Sequence, residues 1–201
     1  MNIEIIKILK NGGIGVMPTD TIYGLVGSAL DKKTVERIYK TRERNLKKPL
    51  IVLISTLEDL ELFGINLKST RGVLVQIWPG KVSVILPLSK ANLNKFKYIH
   101  RGVGKIAFRM PKNKVLMEIL KKTGPLVAPS ANIEGCPPAN NIKEAKNYFG
   151  NKVDFYMQGK ISKTPGVHST IIEWKGNESE FVVVREGAVS GDRLRNKKLL
   201  K

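Results

Sequence analysis

The sequence predicts a three-layer α/β domain in which helices flank both faces of a mixed, twisted, open sheet. Segments typical of strands alternate with segments of helical periodicity, but the alternation is irregular. Residues 50–54 (LIVLI) form a continuous apolar run, as found in strands that are covered on both faces. The last two predicted strands, 170–173 and 181–184, are joined by a short polar hairpin, which requires an antiparallel pair. The sheet is therefore predicted to be mixed and not purely parallel.

Helices are predicted where apolar residues recur three and four positions apart and a capping residue stands at one end. The first covers residues 3–10 and ends at Asn11-Gly12-Gly13, which suits a left-handed C-cap. Asp31 is predicted to cap the second helix. Further helices are predicted after Thr56, after Ser69, over residues 114–122, and after Asn140 or Asn141.

The remaining strands are predicted where short apolar runs lie between turn residues. They cover residues 14–17, 83–88, 105–111, 126–128 and 153–156. The glycines at 12, 13 and 15 precede a strand and no helix follows them directly, so we assign them to a turn and not to a phosphate-binding loop.

The chain has 201 residues, of which 42% are hydrophobic, and is long enough for one domain with its own core. Its single cysteine, Cys136, can form no internal bridge, and neither it nor His100 nor His168 stands at the spacing of a metal site. No early apolar run is long enough to span a membrane, and residues 1–4 (MNIE) do not resemble a signal peptide. We therefore expect a cytoplasmic protein without a structural metal.

A strong positive charge is the most unusual property of the composition. Thirty-five Lys and Arg residues against seventeen Asp and Glu residues give a formal net charge of +18. Nucleotide phosphates and RNA both suit such a field, and charge alone does not choose between them. Five cations lie within residues 40–48, and the dipole of the preceding helix accounts for only one or two of them. The others indicate an anion-binding loop that leads into the strand at 50–54.

Polar side chains stand where several predicted strands end. Residues 18–25 (PTDTIYGL) follow the first buried strand, and residues 129–132 (PSAN) repeat the order of strand, proline and projecting polar groups. Arg109, Ser169 and Arg185 also fall at strand ends. Ligands of α/β sheets bind at such ends. For residues 18–25 taken by themselves, local turn capping by Thr and Asp is the alternative explanation.

These candidates are hydroxyls, an amide and cations. The sequence offers no Ser-His-Asp or Cys-His set, no paired carboxylates and no metal cluster. Hydroxyls and cations hold phosphates and carboxylates and stabilise charge on a transferring phosphoryl group. The sequence therefore favours catalysis by substrate positioning and charge stabilisation over acid/base catalysis.

Seven motifs occur in the order found in one protein family. They are PTDTIYGL (18–25), the basic loop before Pro49-Leu50, WPG (78–80), RMP (109–111), PSAN (129–132), STII (169–172) and Arg185-x-Gly187. On these motifs the chain resembles the YrdC-like threonylcarbamoyl-AMP synthases of the short, single-domain type. The resemblance implies a YrdC-like catalytic domain over residues 1–189. The cations near the end of the chain indicate a basic, solvated C-terminal tail over residues 190–201.

The resemblance also implies a reaction. L-threonine, bicarbonate and ATP would give threonylcarbamoyl-AMP and pyrophosphate, the first step toward threonylcarbamoyladenosine (t6A) in tRNA. ATP would be a substrate that brings Mg²⁺ with it, and the product would pass to the machinery that transfers the threonylcarbamoyl group to tRNA.

Roles for individual residues follow from the same resemblance. Threonine would be held by Thr21, Arg109, the backbone of Ala128, and Ser169, with Arg109 pairing the carboxylate. ATP would be held by Arg44, Lys48, Lys105, Ser130, Asn132 and Arg185. Arg42 and Arg44 match the Lys-x-Arg of the family and are the expected catalytic residues. Asp20 is expected to organise its own turn.

The chain departs from the family pattern at several positions. Arg42 replaces the usual Lys, Asn45 the usual Pro, and KVS (81–83) the usual PLT, while Leu53 stands where longer relatives carry a His. Two alternatives stay open. The same fold and charge suit a double-stranded RNA-binding protein without synthase activity, which would contact phosphates and 2′-hydroxyls. The second alternative is a carbamoyl-handling domain of a hydrogenase maturation protein, although such a domain normally lies inside a much longer protein.

Overall fold

The computed structural model of the chain describes residues 3–68, 70–161, 167–175 and 181–196. Within these residues the strands are β1 (Gly15–Pro18), β2 (Tyr23–Ser28), β3 (Ile51–Leu53), β4 (Val82–Pro87), β5 (Lys105–Arg109), β6 (Leu126–Val127), β7 (Phe155–Tyr156), β8 (Thr170–Trp174) and β9 (Phe181–Arg185). The α-helices are α1 (Ile3–Lys10), α2 (Lys32–Thr41), α3 (Arg71–Ile77), α4 (Lys90–Leu93), α5 (Lys97–His100), α6 (Lys114–Thr123), α7 (Ile142–Phe149) and α8 (Gly191–Asn196). Glu58–Phe63 and Gly150–Lys152 are short 3₁₀ helices.

The described strands form one mixed sheet in the order β7-β1-β2-β6-β3-β5-β4-β8-β9. The pairs β1–β7, β3–β5 and β4–β8 are parallel, and the other neighbouring pairs are antiparallel. The predicted mixed sheet is therefore confirmed. The predicted pairing of the last two strands is also present, while the turn between them, residues 176–180, lies outside the described residues.

Alternate residues of the central strands pack on opposite faces of the sheet, which produces the three layers. In β3, Val52 belongs to the larger apolar cluster, which includes residues of α2 and α7, whereas Leu53 belongs to the cluster that includes residues of α1 and α6. Val127 and Leu126 of β6 divide in the same way. Both faces are thus covered, as the unbroken apolar run at 50–54 predicted.

Several predicted helix starts are present. Asp31 accepts hydrogen bonds from the backbone N–H groups of Lys33 and Thr34, and Asn141 accepts one from that of Glu144. The helix predicted after Thr56 is instead a 3₁₀ helix, although Leu60 and Phe63 face the core as expected. The predicted cap at Ser69 lies outside the described residues.

The segment 18–25 is a hairpin and not a loop beyond the sheet, which corrects the prediction. Pro18 pairs with Tyr23 in the register of β1 and β2, so only residues 19–22 form the turn. Because Pro18 is the last residue of β1, its missing N–H removes no interior ladder bond. The polar residues of the turn nevertheless lie where β1 ends and β2 begins.

The start of the predicted C-terminal tail is helical. Helix α8 lies beyond residue 189, and its Leu194 is buried against the larger apolar cluster. This part of the predicted solvated tail is therefore packed, because Leu194 gives the helix an apolar anchor. No helix within the described ranges is both long and apolar enough to cross a membrane.

Candidate active site

A cavity of about 100 Å³ is lined by the turn between β1 and β2, the loop after α2, the start of β3, the ends of β5, β6 and β9, and the residues before β8. Most of the predicted site residues line this cavity: Thr21, Arg42, Arg44, Arg109, Ala128, Ser130, Ser169 and Arg185. They come from segments spread over more than 160 positions of the sequence. The fold brings these segments together around one cavity.

The turn between β1 and β2 is organised by Thr19. Its Oγ1 lies 3.0 Å from Thr21 Oγ1 and donates to the carbonyl of Ile22 at 2.7 Å, while the backbone N–H groups of Thr21 and Ile22 donate to it. Asp20 was expected to do this and does not. Its carboxylate instead accepts a bond from the N–H of Lys112 at 3.1 Å, so it connects the turn to the loop after β5.

Arg109, at the end of β5, faces the same turn. Its Nη1 donates to Thr21 Oγ1 at 3.1 Å, and its Nη2 lies 3.4 Å from Asp20 Oδ1. Both charged side chains are buried. Burial lowers the pKa of Arg109 and the charge of Asp20 opposes this shift. Arg109 Nε is buried without a hydrogen-bond acceptor among the described residues, so the guanidinium retains donor capacity.

Arg42 follows helix α2 and is only 2% exposed. Its Nε donates to the carbonyl of Asn132 at 3.0 Å, and its Nη2 donates to Ser130 Oγ at 3.2 Å and Asn132 Oδ1 at 3.0 Å. Burial, with a smaller contribution from Arg44, lowers the pKa of Arg42 to about 10, so it stays charged at neutral pH. Its Nη1 is buried without an acceptor in the described part of the chain. Arg42 thus holds the 130–132 loop while keeping one donor unused.

Glu43 separates the two arginines and adopts φ of 51°, a left-handed conformation that is uncommon outside glycine. This turn reverses the chain directly after α2. Arg44 then donates from Nη2 to the carbonyl of Pro49 at 2.9 Å and also lines the cavity. Lys48 points elsewhere and pairs with Glu134, which also accepts a bond from the N–H of Asn45.

Ser169 is held at the start of β8. Its Oγ lies 2.9 Å from Ser83 Oγ, and its carbonyl accepts a bond from Arg185 Nη2 at 2.8 Å. Gly187 explains the spacing of the Arg185-x-Gly187 motif, because a Cβ at this position would lie 2.5 Å from the His168 carbonyl oxygen and 2.7 Å from that of Ser169. Only glycine allows β9 to end this close to Ser169.

Three predicted site residues do not line the cavity. Lys48 is paired as described, and Asn132 is buried beneath Arg42 with its amide donating to the carbonyls of Ile133 and Cys136. Lys105 stands at the opposite end of β5 from Arg109 and pairs with Glu173. A strand rises about 3.3 Å per residue, so roughly 13 Å of strand separates the two.

His168 lines the cavity and was not among the predicted site residues. Burial lowers its pKa, with further lowering by the charges of Arg185, Arg42 and Arg109. Its position directly before the Ser169-Thr170 motif is the only signal in the sequence that points to it. Because burial and the arginines favour the neutral ring, His168 adds a hydrogen-bonding group to a site that is otherwise cationic.

The charged side chains that line the cavity are cationic. Four arginines line it, and no carboxylate does so among the described residues. Three guanidinium nitrogens of Arg42, Arg44 and Arg109 are buried without acceptors. The described residues also contain no group of three His, Cys, Asp or Glu side chains that could hold a metal ion. The fold and the site define an α/β domain with a pocket lined by four arginines.

Comparison with known proteins identifies the family. Residues 7–187 match the Sua5/YciO/YrdC model, which is described as "Telomere recombination". The chain belongs to the Sua5/YciO/YrdC family, which confirms the resemblance drawn from the motifs.

Relatives by sequence are named threonylcarbamoyl-AMP synthase. The protein of Pyrococcus abyssi is 30% identical over 82% of this chain and 48% of its own length. That of Bacillus subtilis is 26% identical over 93% of this chain and 53% of its own length. The chain thus spans about half the length of these two relatives. A Mycobacterium tuberculosis protein with the putative form of the name is 28% identical over 96% of this chain and 86% of its own length.

Solved structures have the same fold. Sua5 of P. abyssi, in a structure described as complexed with L-threonine, is 27% identical and superposes with a TM-score of 0.84 over 98% of this chain and 56% of that one. YciO of Escherichia coli is 24% identical with a TM-score of 0.76 over 93% of this chain and 89% of its own. These neighbours confirm the mixed α/β fold.

Proposed function

We propose that this protein is a threonylcarbamoyl-AMP synthase, which forms threonylcarbamoyl-AMP and pyrophosphate from L-threonine, bicarbonate and ATP. The observation that carries the proposal is the cluster of four arginines around one small cavity, beside the hydroxyls of Thr21, Ser130 and Ser169. Arginine binds carboxylate and phosphate through two parallel hydrogen bonds, and this reaction presents both groups. The threonine-bound Sua5 neighbour has the same fold.

The threonine side of the proposed site is formed by Thr21, Arg109, Ala128 and Ser169. Arg109 pairs the threonine carboxylate, for which its buried position and unused Nε donor are suited. The backbone N–H of Ala128 already donates to the carbonyl of Ile51 at 3.0 Å, so this residue contributes by packing or through its carbonyl.

The nucleotide side is formed by Arg42, Arg44, Ser130 and Arg185. In the proposed reaction, the threonine amine first condenses with bicarbonate to give N-carboxythreonine and water. A carbamate oxygen of N-carboxythreonine then attacks the α-phosphorus of ATP. The bond from the α-phosphorus to the bridging oxygen breaks, and pyrophosphate leaves with that electron pair. Arg42 and Arg44 neutralise the charge that develops on it. Both are fixed before substrate binds, by Asn132 and by Pro49, so little reorganisation is required.

Asn132 acts in this proposal through Arg42, which it positions. Lys48 reaches phosphate only after leaving Glu134, and both side chains lie at the surface where such a pair is weak. Lys105 is omitted from the nucleotide site because it does not line the cavity and pairs with Glu173. Mg²⁺ is proposed to arrive on the ATP phosphates, since the cavity offers cations and not the carboxylates that magnesium prefers.

The site is proposed to act in the cytoplasm as the first step of t6A formation in tRNA, with hand-over of the product to the transfer machinery. The second candidate is binding of double-stranded RNA, which the net charge of +18 favours. Against it, Arg42 and Arg109 are buried and the cavity that they line measures about 100 Å³, which suits small anions better than a duplex.

The test is pyrophosphate release by the purified full-length chain. We expect release only when L-threonine, bicarbonate, ATP and Mg²⁺ are all present, with threonylcarbamoyl-AMP detected by mass spectrometry. Arg44→Ala should reduce turnover at least 100-fold, in the range found when a charged group that stabilises the transition state is removed. No release under any condition, together with tight binding of a 20-base-pair RNA duplex, would select the RNA-binding function.

Arg71→Ala provides the matched control. Arg71 is a surface arginine whose guanidinium pairs with Glu58 and which does not line the cavity, so turnover should be unchanged. An equal loss of turnover in Arg44→Ala and Arg71→Ala would mean that the lower net charge, and not the loss of an arginine from the site, reduces turnover. Circular dichroism and thermal unfolding show whether each variant is folded, so a damaged site can be distinguished from an unfolded protein.

A further inference from the structure

A groove of about 820 Å³ lies outside the candidate active site. It is formed by the start of α2, the basic loop that follows α2, the 3₁₀ helix Glu58–Phe63 and the segment 94–101. Four separate parts of the chain thus contribute to one concave surface. The proposed reaction gives this surface no role.

The apolar lining of the groove consists largely of exposed leucines. Leu30, Leu46 and Leu62 are 46%, 60% and 47% exposed. Every leucine that is exposed in the described ranges lines this groove, although the three come from different segments. Single exposed apolar residues are ordinary, but three that converge in one concavity mark an interaction surface.

The rim of the groove is cationic. Lys32, Lys95 and Lys97 are exposed, and none of them makes an ion pair within the described part of the chain. The single carboxylate of the lining, Glu36, is already paired with Arg101 Nη2 at 2.9 Å. The groove therefore combines an apolar floor with uncompensated positive charge.

We propose that this groove is a docking site for an acidic segment of a partner protein. Apolar side chains of that segment would cover Leu30, Leu46 and Leu62, and its carboxylates would pair with Lys32, Lys95 and Lys97. Charge complementarity selects an acidic partner and speeds its encounter, while burial of the leucines supplies the contact area.

Two other occupants fit the surface less well. A second copy of the chain would bring the same lysines together, because a two-fold interface uses the same patch twice, and each copy carries a net charge of +18. RNA would pair with the lysines but gain little from leucines, since bases stack on aromatic rings. The aromatic residues of the groove are less accessible: Phe96 is 1% exposed, and Tyr98 is half-buried with its hydroxyl donating to the Ala29 carbonyl.

The groove is connected to the candidate active site. Leu46 belongs to the loop that also carries Arg42 and Arg44. At the groove, Arg101 stacks over the Tyr39 ring at 3.8 Å, and the Tyr39 hydroxyl donates to the Lys48 carbonyl at 2.8 Å. A docked partner would therefore contact the loop that enters the active site. This consequence rests on the proposed function, whereas docking itself does not.

The test is fluorescence anisotropy with the full-length chain at 150 mM salt. The probe is a labelled synthetic 16-residue helical peptide with leucine on one face and glutamate elsewhere, and the comparison peptide has serine for every leucine. We expect the leucine peptide to bind at least 10-fold more tightly. The double variant Leu46→Ser/Leu62→Ser should weaken its binding at least 10-fold, and so should Lys32→Glu/Lys97→Glu.

Matched controls place the same changes elsewhere on the surface. Val75→Ser/Val115→Ser removes two exposed apolar side chains, and Lys121→Glu/Lys122→Glu reverses two exposed charges of α6, so each should change binding less than twofold. The proposal is overturned if the two peptides bind equally or if the controls weaken binding as much as the groove variants. It is also overturned if light scattering shows a dimer that Leu46→Ser/Leu62→Ser dissociates. Binding of an RNA duplex that depends on Lys32 and Lys97 but not on the leucines, with no peptide binding, would assign the groove to RNA.

Discussion

Arg109 Nη1 donates a hydrogen bond of 3.1 Å to Thr21 Oγ1, which joins the end of β5 to the turn between β1 and β2. The two residues are 88 positions apart in sequence and both are buried. This contact aligns a hydroxyl and a guanidinium at one wall of the cavity. The geometry of the proposed threonine site therefore depends on it.

Replacing Thr21 with valine should weaken threonine binding while sparing the fold. Valine keeps the shape of the side chain but offers no acceptor to Arg109. It also removes the hydroxyl that is proposed to contact threonine. A hydrogen bond to a charged group is worth about 1.5–3 kcal/mol, so KM for threonine should rise roughly 10- to 100-fold, and KM for ATP should change much less. Steady-state pyrophosphate release at varied threonine measures this. Thr21→Ser is the control, and its KM for threonine should stay within a few-fold of the wild-type value. Equal KM values for the two variants would show that Thr21 does not belong to the threonine site.

Asp20→Asn should destabilise the fold. Asp20 supplies the negative charge nearest to the buried Arg109, and the amide of asparagine can still accept the bond from the Lys112 N–H. Breaking a buried ion pair by removing one partner costs about 3–5 kcal/mol, because the remaining charge stays buried. Urea unfolding should show a loss of roughly 3 kcal/mol. Glu118→Gln, at an exposed position of α6, should change stability by less than about 0.5 kcal/mol. A neutral result for Asp20→Asn would show that solvent or another group compensates Arg109.

Gly187→Ala should damage both stability and threonine binding. The new methyl group would meet the backbone of His168 and Ser169 at 2.5–2.7 Å, so the start of β8 must shift. Overpacking of this kind costs about 1–3 kcal/mol. Thermal unfolding and KM for threonine are the two measurements. Gly72→Ala is the matched control, since a Cβ at that helical position meets nothing within 4 Å and should stabilise by about 0.5–1 kcal/mol. If Gly187→Ala and Gly72→Ala had the same thermal stability and the same KM for threonine, the close approach of Gly187 to His168 and Ser169 would not be required by the site.

His168 should make stability fall on acidification. Its pKa is lowered in the folded protein by burial and by Arg185, Arg42 and Arg109, whereas the unfolded chain takes up the proton near the ordinary value of about 6.5. Between the lowered folded pKa and the unfolded one, the unfolded state binds more protons. Stability therefore rises with pH in this window and is lost as pH falls below about 6.5.

The check is urea unfolding of wild type and His168→Asn at pH 7.5 and 5.5. The variant should lose less stability between the two pH values, because asparagine does not titrate. Saturating ATP should reduce the difference, since its phosphates offset the charge of the arginines around the ring. An equal fall in both proteins without ATP would show that His168 is solvated in the native state.

The local elements were predictable because their signals are local. Helical periodicity and the caps at Asp31 and Asn141 depend on residues within a turn or two of each other. The unbroken apolar run at 50–54 predicted a strand covered on both faces, and β3 has residues in both apolar clusters. Strand β2 was missed because glycines 24 and 27 lower its strand propensity. Gly27 is instead required by packing, since a Cβ there would lie 2.5 Å from Thr34 Cγ2 of α2.

The sequence by itself determined which residues could form an anion site, because hydroxyls and cations at strand ends are visible in one dimension. Tertiary structure decided which of them meet. Lys105 and Arg109 both belong to β5, yet only Arg109 lines the cavity, whereas Lys105 pairs with Glu173. Asp20 is recognisable as a turn residue, but its partner Arg109 and the placement of His168 among three arginines depend on contacts between distant segments. Strand order and direction set these contacts, and no local pattern encodes them.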